Sequence, residues 1–203
     1  MPKTSIQCKK IKEDRVNNII VTATKIFATG KYSNITIDSI TDACNCSHGL
    51  FYHYFKNKEE IFDAVMKRSI ETLFQYINLE KISSLSTYDA LIDIIDSFLN
   101  MFKQDDDYLT CVSYLIFNLR LQKDDLPKPK ITGNKKPRKI NELIFSLIEK
   151  GQKENIFIDG DPKEFTIAII ALLKGLAYNR LFVGSKKFLC RRKETIINMV
   201  SKK

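Results

Sequence analysis

The sequence predicts an all-α protein, and three observations carry that expectation. Glycine and proline are scarce, at 7 and 5 of 203 residues, which disfavours a turn-rich β fold. Apolar residues recur at steps of three and four through most of the chain instead of alternating. Short polar residues with helix-capping chemistry stand before the apolar runs, as Thr36, Ser47, Asn57 and Asp161 do. Apolar residues make up 44% of the chain, and this length suits one small and one medium domain, or a single large one.

Residues 1–12 carry Lys3, Lys9, Lys10 and Lys12 without an apolar period and read as a flexible basic arm. A first helix follows, with Val16, Ile19, Ile20, Ala23 and Phe27 on one face and its end near Gly30. Ile37, Ile40 and Cys44 then recur at helical spacing behind Thr36, whose hydroxyl suits the first free backbone N–H groups of a helix over about 37–44. Asn45 is the non-glycine residue type that best tolerates left-handed backbone, which places a tight turn at Asn45–Cys46. Ser47 supplies a second N-cap, and Leu50, Phe51, Tyr54 and Phe55 form the apolar stripe of a helix only two turns long. Asn57 and Glu60 open a third helix in the manner of a capping box, and its apolar positions run from Ile61 to about Leu79. Two short helices joined by a tight turn, running into a long connector, make a helix-turn-helix unit.

A helix that enters the major groove needs an uncluttered N-terminal end, and Gly49 removes a side chain there. Ser47, His48 and Leu50 would then be nearest the base edges. Tyr52, His53 and Lys58 stand within reach of flanking phosphates, and the helix start at Thr36 offers a positive dipole end to another. The run CSHGLFYHYFKNKEEIF, residues 46–62, resembles the signature of the TetR family of transcriptional regulators in its spaced serine, glycine, tyrosine, phenylalanine, lysine and glutamate. The resemblance extends over residues 11–62 and is one of architecture beyond them. Asn45 stands where the family usually has glycine, Thr41 where it has alanine, and His48 and Leu50 where Lys or Arg and Thr or Ser are common. The resemblance implies an N-terminal three-helix helix-turn-helix DNA-binding domain over 1–56, followed by a larger helical effector-binding and dimerisation domain over 57–203. It implies double-stranded DNA, a second copy of the chain and a small-molecule effector as partners, with repression as the usual role. A DNA-binding architectural or cell-division factor of the same fold, without an effector, is the alternative.

In the second part of the chain, Ser83–Ser86 break the long helix. A helix over about 87–103 turns Leu91, Ile94, Ile95, Phe98, Leu99 and Phe102 inward. Acids at 105–107 start the next, which is apolar nearly throughout from Tyr108 to Leu121 and should be central. Thr110, Ser113, Phe117 and Arg120 share one stripe of it, which either faces solvent or lines a cavity. With Phe102 and Tyr178, that stripe is the candidate effector site, and Arg120 is its candidate anchor for an anionic or carbonyl group. Residues 122–139 hold three prolines and many lysines and read as a long mobile loop. A helix over about 139–154 ends at Asn155. Asp161–Glu164 starts another, which runs to about Phe182. The last helix is expected over Phe188–Val200. The final two helices expose more apolar surface than a monomer needs, and Leu172, Gly175, Leu176, Ile196, Ile197 and Val200 are the candidate dimer contacts.

The remaining chemistry is sparse. A formal charge of +9 suits an anionic partner such as nucleic acid. The longest apolar run, Phe165–Leu173, is too short to cross a bilayer, and the N-terminus lacks the apolar core of a signal peptide. A cytoplasmic protein with no membrane partner is expected. The five cysteines are odd in number, and the Cys44–Cys46 pair has only His48 nearby, so they read as small apolar fillers and no metal site is expected. Both histidines lie in the helix-turn-helix stretch, and no nucleophile elbow, paired-ligand or phosphate-loop pattern occurs. Neither an enzyme nor a cofactor is expected.

Overall fold

The computed structural model describes residues 5–104, 106–118, 136–183 and 192–202. They form α1 (Ser5–Thr29), a 3₁₀ turn (Tyr32–Asn34), α2 (Ile37–Ala43), α3 (His48–Tyr54), α4 (Lys58–Tyr76), α5 (Leu79–Ser84), α6 (Thr87–Lys103), α7 (Asp107–Asn118), α8 (Lys136–Lys153), α9 (Pro162–Phe182) and α10 (Arg192–Asn198). Among the described residues there is no strand; a lone antiparallel bridge joins Phe157 to Ser201.

Two apolar cores are stacked along the chain. The first gathers Ile19, Ala23 and Phe27 of α1, Ile40 of α2, Phe51 of α3 and Ile61, Phe62, Val65 and Met66 of α4. Cys111 and Leu115 of α7 also belong to it. The second gathers Leu73 of α4, the inward faces of α6, α7 and α8, Ile169, Leu173 and Ala177 of α9 and Ile196 and Ile197 of α10. α7 packs against α1, α4 and α9, the central place its apolar composition predicts.

Several elements differ from expectation. The basic arm is helical from Ser5 onward, because residues 5–13 contain no Gly or Pro and extend a helix already nucleated by the packed half of α1. The long connector stops at Tyr76, and Asn78 accepts a hydrogen bond from Lys81 N at 2.9 Å to cap the short α5. The expected loop over 122–139 lies mostly outside the described residues, and within it α8 has already begun at Lys136. Residues 188–191 of the expected last helix lie outside them too.

The predicted dimer contacts divide in the same way. Ile196, Ile197 and Val200 are buried in the chain's own second core, which corrects their assignment to an intermolecular face. α10 packs on α6, where Lys193 Nζ pairs with Asp96 Oδ2 at 2.9 Å. The chain beyond it is pinned by Ile158 N to Val200 O at 2.8 Å and Lys202 N to Ile156 O at 2.9 Å. A basic amphipathic helix shows which side is apolar, not which neighbour covers it, and here α6 covers it.

On α9, Asp161 accepts from Lys163 N and Pro162 opens the first turn. Ile169, Leu173, Ala177 and Arg180 face inward, while Ile167, Leu172, Tyr178 and Phe182 are exposed. A Cβ added at Gly175 would meet nothing within 4 Å, so this side of α9 is open. By length and composition α9 is apolar enough to cross a membrane, a criterion that packed core helices also meet; its inward side lies on α7 and α8.

Candidate nucleic-acid interface

Local chemistry builds the helix-turn-helix. Thr36 caps α2 by accepting from Ser39 N at 3.1 Å, and Ser39 Oγ in return accepts from Thr36 N at 3.2 Å. Asn45 lies at φ 50°, in the left-handed region, and Cys46 N closes the turn on Thr41 O at 2.9 Å. Ser47 caps α3 by accepting from Leu50 N at 3.2 Å. Phe51 and Phe55 anchor α3 in the first core, which turns its other side outward.

That outer side carries Ser47, His48, Gly49, Tyr52 and His53, all exposed. Gly49 leaves a gap in it, since an added Cβ would meet nothing closer than Ser47 Oγ at 4.0 Å. His48 leans back on α2, with Nε2 3.4 Å from Asp38 Oδ1 and 3.4 Å from Thr41 Oγ1. Both partners of the His48–Asp38 pair are well exposed, so the pair is weak, and His48 is free to exchange it for another acceptor. Leu50 is half-buried and lines a notch against Arg15, Asn18 and Ile19 of α1.

Lys58 is placed differently from the sequence expectation. Its ammonium donates to Tyr32 O at 2.9 Å and Ile35 O at 2.8 Å, and it sits 4.3 Å from the centre of the Tyr32 ring. This corrects its reading as a phosphate contact: Lys58 ties the start of α4 to the segment before α2. Tyr32 is wedged against Phe27 and Phe62. Burial, and then the neighbouring Glu59 carboxylate, raise its phenol well above the ordinary range.

The predicted effector stripe divides too. Thr110 and Ser113 are 1% exposed, and each donates to its own helix, to Asp106 O at 3.2 Å and Leu109 O at 2.9 Å. Phe102 is fully buried in the second core. Tyr178, by contrast, is 51% exposed and packs with Tyr114 and Phe182 at ring separations of 6.1 and 4.7 Å. It therefore does not share a cavity wall with Phe102, since position 178 lies off the buried 169–173–177 stripe of α9. Arg120 and the side chain of Phe117 lie outside the described residues.

A buried cation that sequence reasoning missed is Arg180, whose Nε donates to Phe102 O at 3.2 Å, in the last turn of α6. The signal was its phase: position 180 continues the stripe of Ile169, Leu173 and Ala177.

A small three-helix core that presents a capped, exposed second helix defines a helix-turn-helix DNA-binding protein. Residues 19–65 match the sequence model of the family described as bacterial regulatory proteins, tetR family. Over 187 residues, 92% of this chain and 93% of the other, the sequence is 25% identical to the uncharacterized HTH-type transcriptional regulator YhgD of Bacillus subtilis. The crystal structure of a TetR-family transcriptional regulator from Agrobacterium tumefaciens matches with a TM-score of 0.71 at 13% identity, spanning 94% of this chain and 100% of that one. AibR, solved in complex with isovaleryl coenzyme A and operator DNA, matches with a TM-score of 0.67 at 14% identity over 91% of this chain and 95% of its own. The chain belongs to the TetR family of DNA-binding transcriptional regulators.

Proposed function

We infer that the chain is a cytoplasmic, homodimeric repressor that reads a palindromic operator in double-stranded DNA and is released by a small, mainly apolar effector. The observation that carries this reading is the outer side of α3. Its histidines, tyrosine and glycine gap face solvent while Phe51 and Phe55 hold the helix rigidly from behind. His48, beside the capped end of α3, is the candidate base reader, and Tyr52 and His53 are candidate phosphate contacts. The helix start at Thr36 is a further candidate phosphate position.

The open side of α9, with Leu172 and Gly175 in its middle and Leu176 at its edge, supports pairing with a second copy of the chain. One short reading helix per chain supplies one half-site, so a pair would place its half-sites about one helical turn apart or somewhat more.

AibR, of like fold, was captured with an acyl coenzyme A and DNA together, which supports an effector in the C-terminal domain. Thr110 and Ser113 are satisfied by their own helix, so polar recognition falls to other groups. The hydroxyls of Ser69 on α4 and Tyr108 on α7 are buried without a hydrogen-bond partner among the described residues, and they are the candidate handles. An effector of this kind acts only by binding the DNA-incompetent state more tightly. α4, rooted in both cores, would carry the difference to α3.

Operator selection followed by footprinting tests the reading, with a two-fold footprint at two half-sites expected. A single asymmetric half-site bound by one chain would overturn the dimeric operator model. Binding at many unrelated sites with no ligand-dependent release would favour an architectural role.

A further inference from the structure

The turn between α2 and α3 holds two thiols in contact. Cys44 and Cys46 are both free, and Cys44 Sγ lies 3.0 Å from Cys46 Sγ. No slack in the loop brings them together. Cys44 N is bonded to Ile40 O at 3.0 Å, Cys46 N to Thr41 O at 2.9 Å, and Asn18 of α1 donates its side-chain amide to Cys44 O at 3.2 Å. Asn45 between them holds the left-handed conformation that closes the turn. The sulfurs border an open notch lined by Arg15, Asn18, Ile19, Ser47 and Leu50.

Two kinds of chemistry use paired thiols, and distance separates them. A tetrahedral metal about 2.3 Å from each sulfur holds the pair about 3.8 Å apart, so these sulfurs would have to separate. Among the described residues no group of three or more metal-ligating side chains completes such a site. A disulfide bond is about 2.05 Å long, so the sulfurs need only close by about 1 Å.

The geometry points to a thiol–disulfide switch in which a peroxide oxidises Cys44 and Cys46, and the resulting bond draws the start of α3 out of its DNA-reading position. Cys46 is the half-exposed sulfur, whereas burial, and then the contact with Cys46, push the Cys44 thiol up to about 12. Cys46 therefore meets the oxidant first. As thiolate it attacks one peroxide oxygen, the O–O bond breaks, and the departing oxygen takes up a proton to leave as alcohol or water. Cys46 is then a sulfenic acid. Cys44 Sγ next attacks the Cys46 sulfur and loses its proton, and the hydroxyl leaves as water. The two thiols have lost two electrons and the peroxide has gained them.

The consequence follows from what comes next in the chain. Cys46 precedes Ser47, whose Oγ caps α3, and His48 begins the helix. A pull of about 1 Å on Cys46 falls one residue from the cap and two from the candidate base reader. This part of the inference rests on α3 being the DNA-reading helix, and the formation of the disulfide does not.

The test uses the full-length protein, reduced, freed of reductant and treated with hydrogen peroxide. Trypsin releases residues 32–56, which contain Cys44 and Cys46 and no other cysteine. Mass spectrometry is expected to find this peptide lighter by two hydrogens and closed to alkylation. In parallel, affinity for the selected operator should fall by about tenfold or more, the scale of one lost base contact, and recover with dithiothreitol. Cys46→Ala should bind as the reduced wild type does and ignore peroxide; if that variant misfolds, Cys44→Ala replaces it. An alkylatable 32–56 peptide after oxidation overturns the proposal, and a closed peptide with unchanged affinity overturns the switch. If the reduced protein binds no DNA, the regulator reading fails on its own, while the peptide still decides whether the disulfide forms.

Discussion

Two of the surfaces exposed among the described residues differ in kind. The outer side of α3 is polar and aromatic, with His48, Tyr52 and His53 around the gap at Gly49. The open side of α9 is apolar, with Ile167, Leu172, Tyr178 and Phe182 exposed around Gly175. A polar helix face is content in water and can exchange it for a hydrated, charged partner. A contiguous apolar face finds its partner in another apolar surface. On the proposed function the same fold separates reading from pairing, and each face can be broken without touching the other.

The largest expected effect comes from the apolar face. Leu172→Arg combined with Tyr178→Arg should leave the helical circular dichroism intact, because both residues are exposed. It should convert a dimer to a monomer by sedimentation velocity. Specific affinity should then drop by about 10²- to 10⁴-fold, the avidity lost when two half-sites are no longer engaged together. Retention of the dimer would move pairing away from α9.

Next is Lys58→Ala, which acts behind the reading face. Loss of two charge-assisted bonds to Tyr32 O and Ile35 O should lower unfolding free energy by about 2 kcal/mol in urea titration. The slope of log affinity against log salt should stay as in the wild type. A slope smaller by about one would restore Lys58 as a phosphate contact.

His48→Ala should cost about 1 to 3 kcal/mol at its preferred base pair and little elsewhere. Competition between specific and random duplexes reads this difference, and equal weakening of both would show that His48 reads no base.

The smallest effect on folding is expected from Gly49→Ala. Beyond its chain neighbours and its own helix backbone, the new methyl meets nothing nearer than Ser47 Oγ at 4.0 Å, and alanine favours a helix over glycine by up to about 1 kcal/mol. Thermal stability should hold or rise slightly while operator binding falls, because only a docked DNA would collide with that methyl. An operator affinity equal to that of the wild type would remove Gly49 from the interface.

Much of this architecture was legible in the sequence where its causes are local. Thr36, Ser47, Asn57 and Asp161 cap the helices expected of them, and Asn45 and Asn155 take the left-handed turns at φ 50° and 60°. Caps and turns are decided within four residues, and four residues are what a sequence shows. Burial by distant segments was not legible. Ile196 and Val200 read as an outward stripe because nothing local announces that the chain's own second core takes them in. Lys58 reads as a free cation because the carbonyls it binds lie 26 and 23 residues upstream. The contact between Cys44 and Cys46 lies between these cases. Their spacing was visible, but the distance between their sulfurs depends on the turn conformation.

The sharing of α4 between the two cores bears on how such a protein can be recombined. Ile61, Phe62, Val65 and Met66 floor the DNA-reading unit, Leu73 of the same helix belongs to the other core, and Cys111 and Leu115 of α7 reach back into the first. A chimera spliced before α4 would graft a foreign floor beneath Phe27 and Phe51. One spliced after Met66 would keep that floor but still require Cys111 and Leu115 to be transplanted with it. The reading head is therefore not a cassette, and exchanging its DNA preference calls for edits on the outer side of α3 in preference to a swap of the whole unit.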